Sequence, residues 1–169
     1  IYMTDTEKEN KRRSLYVWVM IILVFVLSIG AIASGILLIA SPDGDFLAMP
    51  VSVLEGSPFS DFLIPGIILF LFLGVFPFIV GLGLVNVNWK LPARTNPFKR
   101  HYWAWTGSIA TGIILLIWII VETAMIGYVS LLQPVMGIWG ALILCLALLP
   151  QVRRYYRLPV IDFKPKRVF

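Results

Sequence analysis

The one acidic side chain within an apolar run is Glu122, which lies near the end of the stretch from Ala104 to Gly127. Ionised at mid-bilayer, a carboxylate costs about 2.5–3.5 kcal/mol on insertion scales, so an acid there calls for a role or a partner. At 100° per residue, Ala104, Ser108, Thr111, Leu115 and Glu122 fall within about 40° of one direction. The acid therefore belongs to a stripe of small and hydroxylic residues, and intramembrane polar residues face the bundle. Ile113 and Ile120 mark the opposite, lipid-facing side. In a pocket, such a carboxyl would serve as a neutral hydrogen-bond donor or a proton carrier. Ser34 on an earlier apolar run and Gln133 beyond the end of this one complete a candidate ligand-binding set with Glu122, Ser108 and Thr111. Gly30, Gly35, Gly66, Gly137 and Gly140 stand at a similar height. There they either let helices approach closely, the plainer reading, or leave room for an outward-opening cavity.

Other reactive types are sparse. A single cysteine, Cys145, excludes an intramolecular disulfide and a cysteine-built metal site. His101 has no second His or Cys near it, so no metal site is expected. Asp43-Gly44-Asp45 lacks the further oxygens and distal Glu of an EF-hand loop and reads as a solvated turn. Neither a Gly-rich phosphate loop nor a Ser–His–Asp set is present, and no enzymatic activity or cofactor is expected.

The elements that hold these residues are set by composition. Of 169 residues, 59% are hydrophobic and 14% charged, and the mean hydropathy is +0.89. Soluble domains run near 45–50% apolar and about a quarter charged, so the chain belongs to the membrane-integral class. Apolar runs at approximately 15–40, 62–85, 104–127 and 134–151 predict four transmembrane helices in one domain, with 1–14 and 152–169 as tails. Runs such as Ile68 to Leu73 lack the alternation of a barrel strand, so the expected class is all-α, an integral membrane four-helix bundle. The fourth run is marginal in length unless its helix continues past Pro150. Pro77, and Pro65 like it, should disturb the second helix. A short amphipathic helix over 50–55 is expected in the first outer loop, with Ser57-Pro58 opening the second span.

Lys and Arg total fourteen. They lie before the first run, between the second and third, and after the fourth, and none falls in 41–61 or 128–133. Basic residues in short loops stay cytoplasmic, so four spans place both termini inside, in a cell inner membrane. The net charge of +5 then needs no nucleic-acid partner. Arg12, Arg13, Lys99, Arg100, Arg153 and Arg154 are expected to anchor on a lipid bilayer with an anionic inner leaflet, beside Trp89, Trp103, Tyr155 and Tyr156.

Two segments carry a resemblance. Asp43-Gly44 with Leu54 through Gly66, and Glu122 with Ile126 through Pro134, resemble a pattern in small bacterial inner-membrane proteins with four predicted helices and no assigned function. The resemblance covers about two fifths of the chain and implies that the outer loop and the Gln133-Pro134 turn form one outer face. The first functional expectation is a non-enzymatic accessory or assembly subunit or scaffold, with a larger membrane-protein partner or self-association. The alternative is a binder or carrier of a hydrophobic or protonatable small molecule through an outer-half pocket around Glu122.

Overall fold

The computed structural model describes residues 13–87, 89 and 101–158. Among them are five α-helices and no strand. The helices are α1 (Leu15–Ala40), α2 (Leu63–Val85), α3 (Trp103–Ile126), α4 (Leu132–Leu148) and α5 (Pro150–Tyr155). The first three are long and apolar enough to cross a membrane, and α4 is a shorter apolar helix. Helix α1 packs along α2 and touches α4, while α3 packs against both α2 and α4.

These helices are apolar nearly all round, so close backbone approach selects the packing faces. A Cβ built on Gly35 would stand 2.8 Å from that of Phe70, and one on Gly66 2.8 Å from that of Leu38, which locks α1 to α2. On the other seam, a Cβ on Gly112 would meet the Leu144 side chain at 2.7 Å and the Gly140 carbonyl oxygen at 3.1 Å. Gly30 and Gly137, by contrast, have nothing within 4 Å of such an atom. The main core runs from Val17, Met20 and Val24 of α1 through Leu73, Val80 and Leu84 of α2. It continues to Ala104, Trp105 and Leu115 of α3, Ile143 and Ala147 of α4, and ends at Val152 and Tyr156.

Pro77 lacks a donor and crowds the carbonyl of residue 73. The preceding stretch, Leu69–Val75, widens to a π-helix, and the Phe76 N–H reaches back to the Leu71 oxygen. Within that stretch the Gly74 carbonyl accepts a hydrogen bond from Ser28 Oγ of α1 at 2.8 Å. The expected disturbance at Pro77 is thus a change of helical register, and the Ser28 bond ties the widened stretch to α1. Pro65 causes none: it is the third residue of α2, where the missing N–H has no ladder partner to lose.

Three boundaries differ from expectation. The Ser57-Pro58 pair does not open α2; the helix begins at Leu63, whose N–H donates to Asp61 Oδ1 at 2.9 Å. The loop between α1 and α2 forms short 3₁₀ helices at Asp45–Leu47 and Val51–Leu54, the second where the short helix over 50–55 is expected, with Pro50 extended just before it rather than at its first position. Helix α4 stops at Leu148 rather than running to 151. Leu149 is extended because the residue before a proline is pushed out of the α region, and Pro150 starts α5. At 1.5 Å per residue, α4 is about 26 Å long, short of a hydrocarbon core of about 30 Å.

Gly112→Val would drive two methyl groups into Leu144 and the Gly140 backbone. It should cost about 1–3 kcal/mol, the usual range for overpacking. Ser28→Ala should cost about 0.6 kcal/mol, the mean for interhelical hydrogen bonds in membranes. Thermal unfolding of both variants in detergent should show the larger loss for Gly112→Val, and the reverse order would refute glycine-directed packing.

Candidate functional site

Alternate helix polarity collects two groups of side chains at opposite ends. One end gathers the start of α1, the end of α2, the start of α3 and the α4–α5 junction. All four described arginines, Arg13, Arg153, Arg154 and Arg157, lie here. The other end holds Asp43, Asp45, Glu55 and Asp61, and Glu122 lies toward it.

At the acidic end, the Ser41–Asp61 segment folds back on the helix ends. Leu54 and Phe62 are buried against Leu38, with Leu47, Met49, Val53, Phe59 and Ile126 packed around them. The Phe62 N–H donates to the Pro42 oxygen at 2.8 Å. Asp43 Oδ1 accepts from Ser41 Oγ and from the Asp45 N–H, which holds its carboxyl below the usual carboxylate range. Gly44, at φ +82°, makes this turn possible, because a Cβ there would lie 2.1 Å from the Met49 oxygen. The Asp43–Asp45 segment is a self-bonded turn.

Glu122 is half-buried near the end of α3, and its carboxyl has the Trp118 and Gln133 side chains as hydrogen-bonding neighbours. Gln133 is almost fully buried. Its Nε2 donates to the Gly127 oxygen at 3.0 Å, and its Oε1 accepts from the Val129 N–H at 2.9 Å. It therefore pins the α3–α4 turn as well as facing the acid. The expected stripe is real: Ala104, Ser108, Thr111 and Leu115 are buried, while Ile113 and Ile120 are exposed. Its hydroxyls are spent on α3 itself, Ser108 Oγ donating to the Trp105 oxygen at 2.8 Å and Thr111 Oγ1 to the Gly107 oxygen at 2.9 Å. Thr111 also lies about 16 Å from Glu122 along the axis, at 1.5 Å per residue. Ser34 is half-buried on α1. The structure brings Glu122 and Gln133 together, and it places Ser108 and Thr111 in the packed core.

The basic end is more elaborate than its sequence indicates. Arg12, Lys99 and Arg100 lie outside the described residues. Arg13 donates through Nε to the Tyr155 hydroxyl at 3.1 Å and through a terminal nitrogen to the Val85 oxygen, the last carbonyl of α2. Its guanidinium lies 5.1 Å from the Trp18 ring centroid. The Tyr102 N–H donates to the Tyr156 oxygen at 2.8 Å, and the Tyr156 hydroxyl donates to the Leu84 oxygen at 3.0 Å. The Tyr102 hydroxyl lies 2.8 Å from the Asn86 oxygen and 2.6 Å from that of Trp89. Burial raises both phenols above their usual range, so they remain donors. Trp105 Nε1 donates to the Ala147 oxygen at 2.8 Å, joining α3 to α4.

His101 is the residue whose surroundings the sequence conceals. It is buried, stacks on Trp105 at a centroid distance of 4.4 Å, and pairs with Arg157 in an isolated antiparallel bridge. Arg153 Nε donates to its Nε2 at 3.4 Å. His101, Leu148, Pro150, Arg153, Arg154 and Arg157 line a cleft of about 380 Å³. The available signal was compositional, an aromatic-basic run in each of two distant segments. Cys145 is exposed on the surface of α4.

Comparison with protein-family models, curated proteins and solved structures returns no match.

Burial, then the nearby Arg153 and Arg157 charges, lowers the His101 pKa from its ordinary value of 6.5. The folded chain thus binds this proton less readily than the unfolded chain. Stability from this group is present above about pH 6.5 and declines as pH falls through the folded-state pKa. Detergent-phase melting from pH 8 to pH 5 should show that decline, and His101→Gln should flatten it. An unchanged slope in the variant would remove His101 as its source.

Proposed function

We propose that this chain is a four-pass membrane protein of a bacterial inner membrane, with the basic end cytoplasmic. We assign it the role of a non-enzymatic accessory or assembly subunit. The observation that carries this reading is the segregation of charge. An apolar helical body has its described arginines at one end and its loop carboxylates at the other, as basic-inside retention requires. Three helices have the length and apolarity for crossing, and α4 with α5 supplies the fourth pass. Large apolar side chains remain exposed along the flanks, among them Ile29, Ile36, Ile120 and Ile138, and offer surface to lipid and to a partner helix.

The rival reading, a small-molecule binder or carrier, rests on the Glu122–Gln133–Trp118 cluster alone, because Ser108 and Thr111 are already satisfied within α3.

Topology is testable by thiol labelling in a Cys145→Ser background. Glu55→Cys and Ser130→Cys should react with a membrane-impermeant maleimide on intact cells, and Gln151→Cys only after permeabilisation. Labelling of all three from the same side would overturn the reading. Glu122→Gln should leave co-purification with a stoichiometric larger partner unchanged. Loss of a bound small molecule with assembly intact would favour the rival.

A further inference from the structure

We propose that the cleft formed by His101, Arg153, Arg154 and Arg157 is a binding site for a phosphate group, that of an anionic phospholipid. The inference rests on the membrane reading above, since the lipid must reach the cleft from a surrounding bilayer. Its basis is the break at Leu149-Pro150. Because α5 starts anew there, the chain passes from apolar Leu148 and Leu149 to Arg153 and Arg154 within one short turn. The cleft thus has an apolar wall where acyl chains would lie and a cationic wall where a headgroup would lie. A second cleft of about 340 Å³, lined by Tyr16, Leu149, Pro150, Gln151 and Arg154, adjoins it through Pro150 and Arg154. Leu148, with 59% of its surface exposed, lines the first.

The cationic wall is held in place by contacts from the residues that lead into α3. The Arg153 Nε–H is taken up by the His101 imidazole, itself fixed by stacking on Trp105. This arrangement orients the terminal nitrogens of the guanidinium, the planar fork suited to paired bonds with phosphate oxygens. Arg157 is tied to the same edge by its bridge with His101. Basic pockets between helices on the cytoplasmic side are sites for anionic headgroups.

The test uses the full chain in nanodiscs of phosphatidylcholine with increasing phosphatidylglycerol, and native mass spectrometry of the detergent-extracted protein. One anionic lipid should be retained in preference to phosphatidylcholine. Arg154→Gln should weaken that retention about fivefold, and Arg154→Lys should restore most of it, with helix content by circular dichroism equal in all three proteins. Equal retention of both lipids by folded, incorporated protein would overturn the site while leaving the membrane reading intact. Failure to enter nanodiscs at all would overturn both. Inorganic phosphate that binds the Arg154-dependent site and is not displaced by phosphatidylglycerol would reassign the site to a soluble anion and overturn the lipid assignment.

Discussion

Close contact between backbones at glycine governs this fold. The long helices are apolar on every side, so burial of apolar area discriminates weakly between one packing face and another. The gaps left by Gly35, Gly66, Gly112 and Gly140 do discriminate, because the partner fits only where no Cβ stands. Once backbones are that close, side-chain donors reach carbonyl oxygens of adjacent helices. Ser28 bonds Gly74, Trp105 bonds Ala147 and Trp139 bonds Leu23, the last at 3.1 Å. Such bonds satisfy groups that hydrocarbon would leave unpaired, and they fix the rotational register of each helix.

The two ends of the body are built on different principles. The acidic end is closed by apolar loop residues, Leu54 and Phe62, folded onto Leu38, so its polar groups point outward or into their own turn. Tyrosine, tryptophan and arginine side chains close the basic end by bonding to the carbonyls exposed at helix termini. The last carbonyl of α2 is a clear instance: Arg13 places positive charge where the helix dipole is negative and a carbonyl lacks an intrahelical partner. Tyr156 and Tyr102 act similarly, with neutral phenols that burial keeps protonated. Charge therefore sits at the periphery, and uncharged donors occupy the interior.

Parts of the architecture were legible for simple reasons. The run from Leu15 to Ala40 is a helix over the expected residues because nothing in it interrupts an apolar helix of crossing length. The stripe through Ala104, Ser108, Thr111 and Leu115 was legible because helical periodicity alone sets which residues share a face. Its consequence was not. Whether a buried hydroxyl lines a cavity or bonds its own backbone depends on how close the neighbouring helix comes, and periodicity carries no such distance. The break before Pro150 was available from the local rule for residues preceding proline, yet a continuous helix reads equally well from hydropathy. The short helix over 50–55 was legible because Pro50 and Gly56 bracket it, and it is a 3₁₀ turn over Val51–Leu54.

From the sequence alone came the helical class, three helices long and apolar enough to cross a membrane, the face that α3 turns inward and the separation of basic from acidic segments. Each follows from composition or from a period of a few residues, and these survive any arrangement of the helices. The tertiary structure alone decided that His101 meets Arg153 and Arg157 across more than fifty residues of chain. It likewise decided that Gln133 joins Glu122 while Ser108 and Thr111 do not. Those outcomes depend on which helix ends become neighbours and how near their backbones lie, and that is settled by glycine contacts between segments far apart in the chain.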